Sequence, residues 1–224
     1  KANLNQREPQ VLAQWEEMGL YEKLRQARRG AKKSILHDGP PYANGRIHIG
    51  HALNKILKDI IVRYWSMRGF DAPYIPGWDC HGLPVEHQLF KDLKKDKHQV
   101  DRVEFRQLAH DYAMKYVALQ RDEFKRLGIM GDWPHPYLTL DKTYEQGILR
   151  SFATLVEKGY VYRGLKPVNW CFRCETALAE AEVEHEDRES DSVFVKFPLT
   201  PSPVSQRLGF PSGDNAILIW TTTP

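Results

Sequence analysis

His48 and His51 stand three residues apart where a glycine- and proline-rich run, Gly39 to Gly45, gives way to a helical pattern. At that spacing both imidazoles share one face of the first helical turn. A helix start also offers unbonded N–H groups and the positive end of the helix dipole, so this combination is suited to holding a phosphate. Gly50, between the two, has no Cβ and lets a nucleotide approach closely. In the preceding run, Gly39-Pro40-Pro41 and Asn44-Gly45 fix the backbone, because proline presets φ and glycine tolerates positive φ. The run is neither a P-loop nor a dinucleotide fingerprint, since it reads neither G-x-x-x-x-G-K-[ST] nor G-x-G-x-x-G. A single histidine is usually structural; a pair beside a phosphate-competent loop is read here as functional.

Two further groups carry chemistry. Asp79 lies in Pro76-Gly77-Trp78-Asp79-Cys80-His81-Gly82-Leu83-Pro84. A carboxylate on a loop after a parallel strand faces the crevice where α/β folds bind ligands, so Asp79 is a candidate anchor for a substrate ammonium group. The other reading is that it caps the helix that follows. Its neighbour Cys80 reads as a small buried residue, with no general base implied for it. Cys171 and Cys174 form a C-x-x-C knuckle, two of the four ligands a structural zinc needs. No second C-x-x-C follows, and Cys80 with His81 is poorly placed to complete the set.

These residues need elements to position them. Ser34–Asp38 is expected as a first strand and Ala72–Ile75 as a second. Between them, Ile49, Ala52, Leu53, Ile56, Leu57, Ile60, Ile61, Tyr64 and Trp65 mark a helix with one face, expected to be buried. Residues 83–130 read as helical with a polar break near Lys94–Gln99, and Phe105, Leu108, Tyr112, Tyr116 and Leu119 as a core stripe. A helix follows from about Lys142 to Lys158, closed by Gly159, then a strand from Tyr160 to Trp170. At the start of the chain, Asn5 with Glu8 is the expected capping box of a helix carrying Val11, Leu12, Trp15 and Leu20. Arg25, Arg28, Arg29, Lys32 and Lys33 make a basic run, either a solvated helix end or an RNA-backbone contact. LAEAEVEHED, DSVFVKF and Ala216–Trp220 read as β structure, with a loop of Pro198, Pro201 and Pro203 before the last.

His48-Ile49-Gly50-His51 is the HIGH signature, and on it the chain resembles the class I aminoacyl-tRNA synthetases. HDGPPYANG, NKILKDII and PGWDCHGLPVE are similar to the isoleucyl branch of that family, and the resemblance runs over nearly all 224 residues. It implies an α/β fold: the first half of a Rossmann-like nucleotide-binding domain, followed by the start of an inserted β-rich editing domain. It implies catalytic roles for His48 and His51, ATP binding at Asn44, Gly45 and Gly50, and amino-acid binding at Gly39, Pro40 and Asp79. Thr221, Thr222 and Thr223, in WTTTP, are placed by it in the editing site. The partners implied are ATP with Mg²⁺, isoleucine and tRNA(Ile), with Zn²⁺ at Cys171 and Cys174 completed from beyond this chain. Two alternatives stay open: a related class I nucleotidyltransferase that makes an adenylate without tRNA, and a non-catalytic RNA- or zinc-binding module.

Bulk properties are those of a globular protein: 42% hydrophobic, 27% charged, formal net charge +3, which permits an RNA partner without arguing for one. No apolar run is long enough to span a membrane. Three cysteines, two of them in the knuckle, fit a reducing, cytoplasmic setting better than disulfides. The expected organisation is a helical segment at 1–33, half of the catalytic domain at 34–165, a knuckle-containing linker at 166–187 and the start of the editing domain at 188–224. Lys1 at one end and Thr223-Pro224 after an apolar run at the other read as a fragment. A monomer is expected, inactive alone in aminoacylation because the second family signature, KMSKS, is absent.

Overall fold

The computed structural model describes residues 3–95, 97–200, 202, 203, 207, 209 and 215–223. Pro201 and Pro224, which fall in two of the segments expected above, lie outside them. Among the described residues the helices are α1 (Leu4–Glu17), α2 (Leu20–Ala27), α3 (Ile49–Met67), α4 (Leu83–Leu93), α5 (Arg102–Arg126) and α6 (Lys142–Glu157). The strands are β1 (Gly77–Trp78), β2 (Tyr137–Leu138), β3 (Asn169–Cys171), β4 (Thr176–Leu178), β5 (Val193–Pro198) and β6 (Ala216–Thr221). The chain divides into two compact units, residues 1–162 and 163–224.

In the first unit three extended segments run parallel. Residues 71–79 lie in the middle, bridged on one side at Lys33↔Asp71 and Tyr42↔Asp79, and on the other by the β1–β2 pair. The first segment reaches the second through α3, and the second reaches the third through α4 and α5, so both connections are crossovers of the βαβ kind. The expected strands at 34–38 and 72–75 are extended but carry no continuous ladder; the regular pairing sits instead at Gly77–Trp78. Proline is the reason. Pro40, Pro41, Pro73 and Pro76 have no N–H to donate, so the ladder is interrupted wherever they stand.

The core of this unit is built on Tyr74, Trp78, Phe124 and Trp133 with Val62, Val117, Ile129 and Leu138. A second cluster joins Val85 and Leu89 of α4 to Tyr112 of α5, with Phe105, Leu108 and Tyr116 packed on it, and Phe90 stacks on Phe105 at 4.2 Å. α4 ends at Leu93, one 3₁₀ turn follows at Lys97–Gln99, and Asp101 caps α5 by accepting the N–H groups of Val103 and Glu104.

α3 departs from expectation in one respect. Its apolar stripe is not the buried face. Ile49 and Met67 are 86% and 76% exposed, and Leu53, Leu57 and Ile60 lie more than half open, while the buried residues are Lys55, Asp59, Val62 and Ser66. Only Trp65 of the stripe packs against the core. A period of 3.6 shows which side chains share a face, not which face is covered. The covered face here is polar because it is ion-paired within the protein.

At the start of the chain the cap is Asn3, in left-handed backbone at φ 46°, rather than Asn5, and its side chain bonds Gln6 instead of a backbone N–H. The expected capping box is therefore absent. The helix is interrupted at Gly19 (φ 58°), which starts α2. The segment is bound to the rest of its unit: Glu8 pairs with Arg126 and Glu16 with Lys125. The Tyr21 hydroxyl donates to the Tyr74 carbonyl and accepts the Tyr74 N–H, both at 3.2 Å, standing in for a strand neighbour. Of the basic run, Arg25 pairs with Asp71, Arg28 donates to the Ser66 carbonyl, and Lys32 lies over Phe70.

In the second unit β3 and β4 pair antiparallel, as do β5 and β6, from Val193↔Thr221 to Pro198↔Ala216. The strand expected from Tyr160 to Trp170 is confined to β3, since Pro167 cannot donate. LAEAEVEHED is β only at Leu178, then one 3₁₀ turn at Glu180–Glu182. β6 extends one residue past the expected Trp220.

Gly77 is where the parallel pair is tightest. A Cβ there would lie 2.0 Å from the Tyr137 ring, so the aromatic side chain occupies the space that glycine leaves. Gly77→Ala is expected to destabilise the protein by about 1–3 kcal/mol, as overpacking does, and to lower the thermal midpoint; unchanged melting would show that Tyr137 moves aside freely.

Candidate active site

Asp38 ends the first extended segment with its side chain buried, 1% exposed. Its carboxylate accepts from Lys55, from Lys58 at 2.7 Å and from the Gly77 N–H at 3.1 Å. Lys55 also donates to the Tyr74 hydroxyl and lies over the Phe124 ring. Burial alone would push the Asp38 carboxyl up, but the two ammonium groups outweigh it and hold it below the usual carboxylate range. One carboxylate thus ties α3 to the loop before it and to β1. Lys58, the more open of the two lysines, reaches on to the Gly39 carbonyl at 3.4 Å, and the Tyr137 hydroxyl donates to the Asp38 carbonyl.

The loop itself is held from α5. Gln120 is fully buried, and its amide nitrogen donates to the carbonyls of Tyr42 (3.1 Å), Asn44 (3.4 Å) and Gly45 (2.9 Å). Asn44 donates to the Pro84 carbonyl and accepts from Tyr112, so both ends of its amide are engaged inside the fold. Gly45 takes φ 71°, a conformation that favours glycine. Glu123 accepts the Ile47 N–H at 3.0 Å and pairs with Arg46, setting the approach to the helix.

At the helix start the histidines cap the backbone reciprocally. His48 Nδ1 accepts the Gly50 N–H at 3.1 Å, and His51 Nδ1 accepts the His48 N–H at 3.3 Å, with the rings 4.0 Å apart. An Nδ1 that accepts an N–H carries no proton, so in each neutral ring the proton is on Nε2. Both Nε2–H groups are then donors beside the helix N-terminus. Burial, His48 and Lys55 together lower the His51 pKa, keeping its imidazole neutral. Gly50 has a second reason to be glycine: a Cβ would meet the His48 ring at 2.9 Å.

Asp79 lies alongside the loop, its N–H donating to Pro41 and its carbonyl accepting from Ala43. Its carboxylate accepts from the His81 N–H and, at 3.4 Å, from Thr139. It does not cap α4, whose N-cap is Gly82. Cys80 is buried, and burial pushes its thiol up to about 11, which suits packing rather than nucleophilic work. The structure therefore brings Gly39, Pro40, Asn44, Gly45, His48, Gly50, His51 and Asp79 into one unit.

In the second unit the Cys174 N–H donates to Cys171 Sγ at 3.4 Å and lowers the Cys171 pKa. Two thiolates are half a tetrahedral zinc set, and among the described residues no third His, Cys, Asp or Glu joins them. The described residues alone do not fit a closed zinc site. Thr221 and Thr223 sit at the end of β6, where the Thr221 hydroxyl accepts the Thr223 N–H at 3.0 Å, and Thr222 lies between them.

With this geometry established, the comparisons with known proteins are specific. The family model of class I tRNA synthetases (I, L, M and V) matches residues 10–217. The chain belongs to that family. It is 58% identical over its whole length to an isoleucine–tRNA ligase of Moorella thermoacetica, 53% to one of Desulfitobacterium hafniense and 54% to one of Natranaerobius thermophilus. It spans 24% of the length of each of these relatives. Among solved structures, the LeuRS of Agrobacterium radiobacter K84, in a ternary complex with tRNA and LeuAMS, superposes with a TM-score of 0.62 at 22% identity, over 80% of this chain and 21% of that one. The α/β reading of the fold, as part of a Rossmann-like synthetase domain, follows from the family and from that likeness. No described helix is long and apolar enough to cross a membrane.

Asp38, Lys55, Lys58 and Gln120 are absent from the sequence reading of the site. Lys55 and Lys58 are visible only as polar gaps in the α3 stripe, and Gln120 lies 75 residues beyond Gly45, on a helix read solely as core.

Two measurements test the site. Asp38→Asn leaves Lys55 buried without its counter-charge and should cost about 3–5 kcal/mol in denaturant unfolding, much of it recovered by adding Lys55→Met; a neutral single substitution would show that the pair is dispensable. His51, with its pKa lowered in the fold, favours the folded state fully above its unfolded value of about 6.5 and loses that contribution as pH falls below it. His51→Gln keeps an acceptor at the capping-box position without titrating, so its thermal midpoint should fall less than that of the unsubstituted protein between about pH 7.5 and pH 5.5.

Proposed function

We propose that this chain is the amino-acid-activating portion of an isoleucine–tRNA ligase. The carrying observation is the pair of imidazoles whose Nδ1 atoms are fixed by backbone N–H groups, leaving two Nε2–H donors at a helix N-terminus. Such donors suit an ATP phosphate group that gains charge during reaction. In the reaction the isoleucine carboxylate attacks the α-phosphate of ATP, giving isoleucyl-adenylate and pyrophosphate. The aminoacyl group then passes to the terminal ribose of tRNA(Ile). Positioning and electrostatic stabilisation supply the catalysis, with little covalent work for the protein.

His48 and His51 donate to the phosphates, and Gly45 and Gly50 line the nucleotide. Asn44 shapes the loop there, its amide being held by Pro84 and Tyr112. Gly39 and Pro40 present backbone groups to the amino acid, and Asp79 receives its ammonium group by a charge-assisted bond. Mg²⁺ enters with ATP. Cys171 and Cys174 offer two thiolates to a zinc whose other ligands come from outside this chain. Thr221, Thr222 and Thr223 belong to a site that hydrolyses mischarged valyl-tRNA. One methylene separates isoleucine from valine and is worth only about 1–3 kcal/mol in binding, a limit for which isoleucyl-tRNA synthetase is itself the standard illustration.

The test is isoleucine-dependent ATP–pyrophosphate exchange by the full-length protein containing this chain, with leucine, valine and methionine as comparison substrates. Exchange strongest with isoleucine, and several-hundred-fold slower in His51→Ala as the loss of a donor worth about 3–4 kcal/mol requires, supports the reading. Strongest exchange with another amino acid overturns the specificity, and exchange without charging of tRNA overturns the ligase assignment in favour of adenylate formation alone.

A further inference from the structure

Gln120 touches no group proposed to contact substrate through its side chain, yet it holds two parts of the site at once. Its oxygen accepts the Trp78 indole N–H at 2.9 Å, and Trp78 immediately precedes Asp79 on the strand that carries the proposed amino-acid anchor. An indole N–H only donates, so the amide oxygen faces Trp78 and the amide nitrogen faces the loop. That nitrogen gathers the carbonyls of Tyr42, Asn44 and Gly45. The peptides here are trans, and a trans peptide turns each carbonyl opposite to the N–H that follows it. Drawing these three carbonyls inward therefore turns the N–H groups of Ala43, Gly45 and Arg46 away from α5. The Ala43 N–H is found where this predicts, donating to the Asp79 carbonyl at 2.8 Å.

We infer that Gln120 is a positioning residue for ATP: by collecting the carbonyls of Tyr42, Asn44 and Gly45 it presents the N–H side of the loop to the nucleotide, in register with the Asp79 strand. The inference rests on the proposed activation of isoleucine by ATP. The Gly39 end of the loop is fastened by other groups, Lys58 at its carbonyl and the Tyr137 hydroxyl at Asp38, and the Asp79 carboxylate is held by the His81 N–H and Thr139. The amino-acid contacts thus have fastenings besides Gln120, while the carbonyls of Tyr42, Asn44 and Gly45 are gathered by its amide.

The experiment is steady-state pyrophosphate exchange by the full-length protein with Gln120→Glu and Gln120→Leu, alongside active-site titration and thermal melting. Gln120→Glu keeps size and shape but points a carboxylate at three carbonyls; Gln120→Leu removes donor and acceptor. In both, the KM for ATP is expected to rise about tenfold or more while the KM for isoleucine stays within about threefold, as misplacement of one substrate's contacts requires. A purely structural role would lower the melting temperature and the titrated fraction of sites with both KM values unchanged, and that result overturns the inference. Equal rises in both KM values overturn it as well. Absence of isoleucine-dependent exchange in the unsubstituted protein is a separate outcome, which overturns the reading of the site and the inference with it.

Discussion

A carboxylate in the interior of a protein is costly unless its charge is met. Asp38 is met three times, by Lys55 and Lys58 of α3 and by the Gly77 N–H of β1. Lys55 and Lys58 fix the rotation of α3 about its own axis, and with it the direction in which His48 and His51 leave the first turn. The Gly77 N–H registers the middle extended segment against the first. Lys55 carries the connection into the aromatic core through Tyr74 and Phe124. The polar face of α3 is buried for this reason, and its apolar face is left outward.

That inversion marks the boundary of what periodicity can convey. The start of α3 near Ile49, the break before α5, and the closure of α6 near Gly159 were all legible, because propensity and glycine placement act locally. The covered side of α3 was not, because a buried lysine beside a buried aspartate has the same one-dimensional pattern as two solvated charges. The strands were misplaced by a few residues for a different reason. Pro40, Pro41, Pro73 and Pro76 leave the chain extended but deny it donors, so apolar alternation overstates the ladder. The histidine pair and Asp79 stood out as candidates, whereas Gln120 did not: an isolated glutamine on a helix carries no signal until the loop it holds is seen beside it.

The two units differ in how they hold the candidate residues. In the first, His48 and His51 are held by the backbone they cap, Asp79 by its strand neighbours and Thr139, and the loop by Gln120, so each group is fixed from at least two directions. In the second, Cys171 lies on a hairpin and accepts the Cys174 N–H, and Thr221 pairs with Val193 and accepts the Thr223 N–H.

The span of chain between Gln120 and the loop it holds also governs how the site comes into being. Gly45 and Gln120 are 75 residues apart, and Asp38 and Tyr137 are 99 apart. Contacts of such separation carry a large loop-closure entropy and are made after local helices have formed. α3 can form early from its own sequence, but the loop in front of it cannot settle until α5 has docked. The loop thus waits on α5 in time as well as in space, and slow docking of α5 would delay the settling of the loop without delaying the appearance of helix.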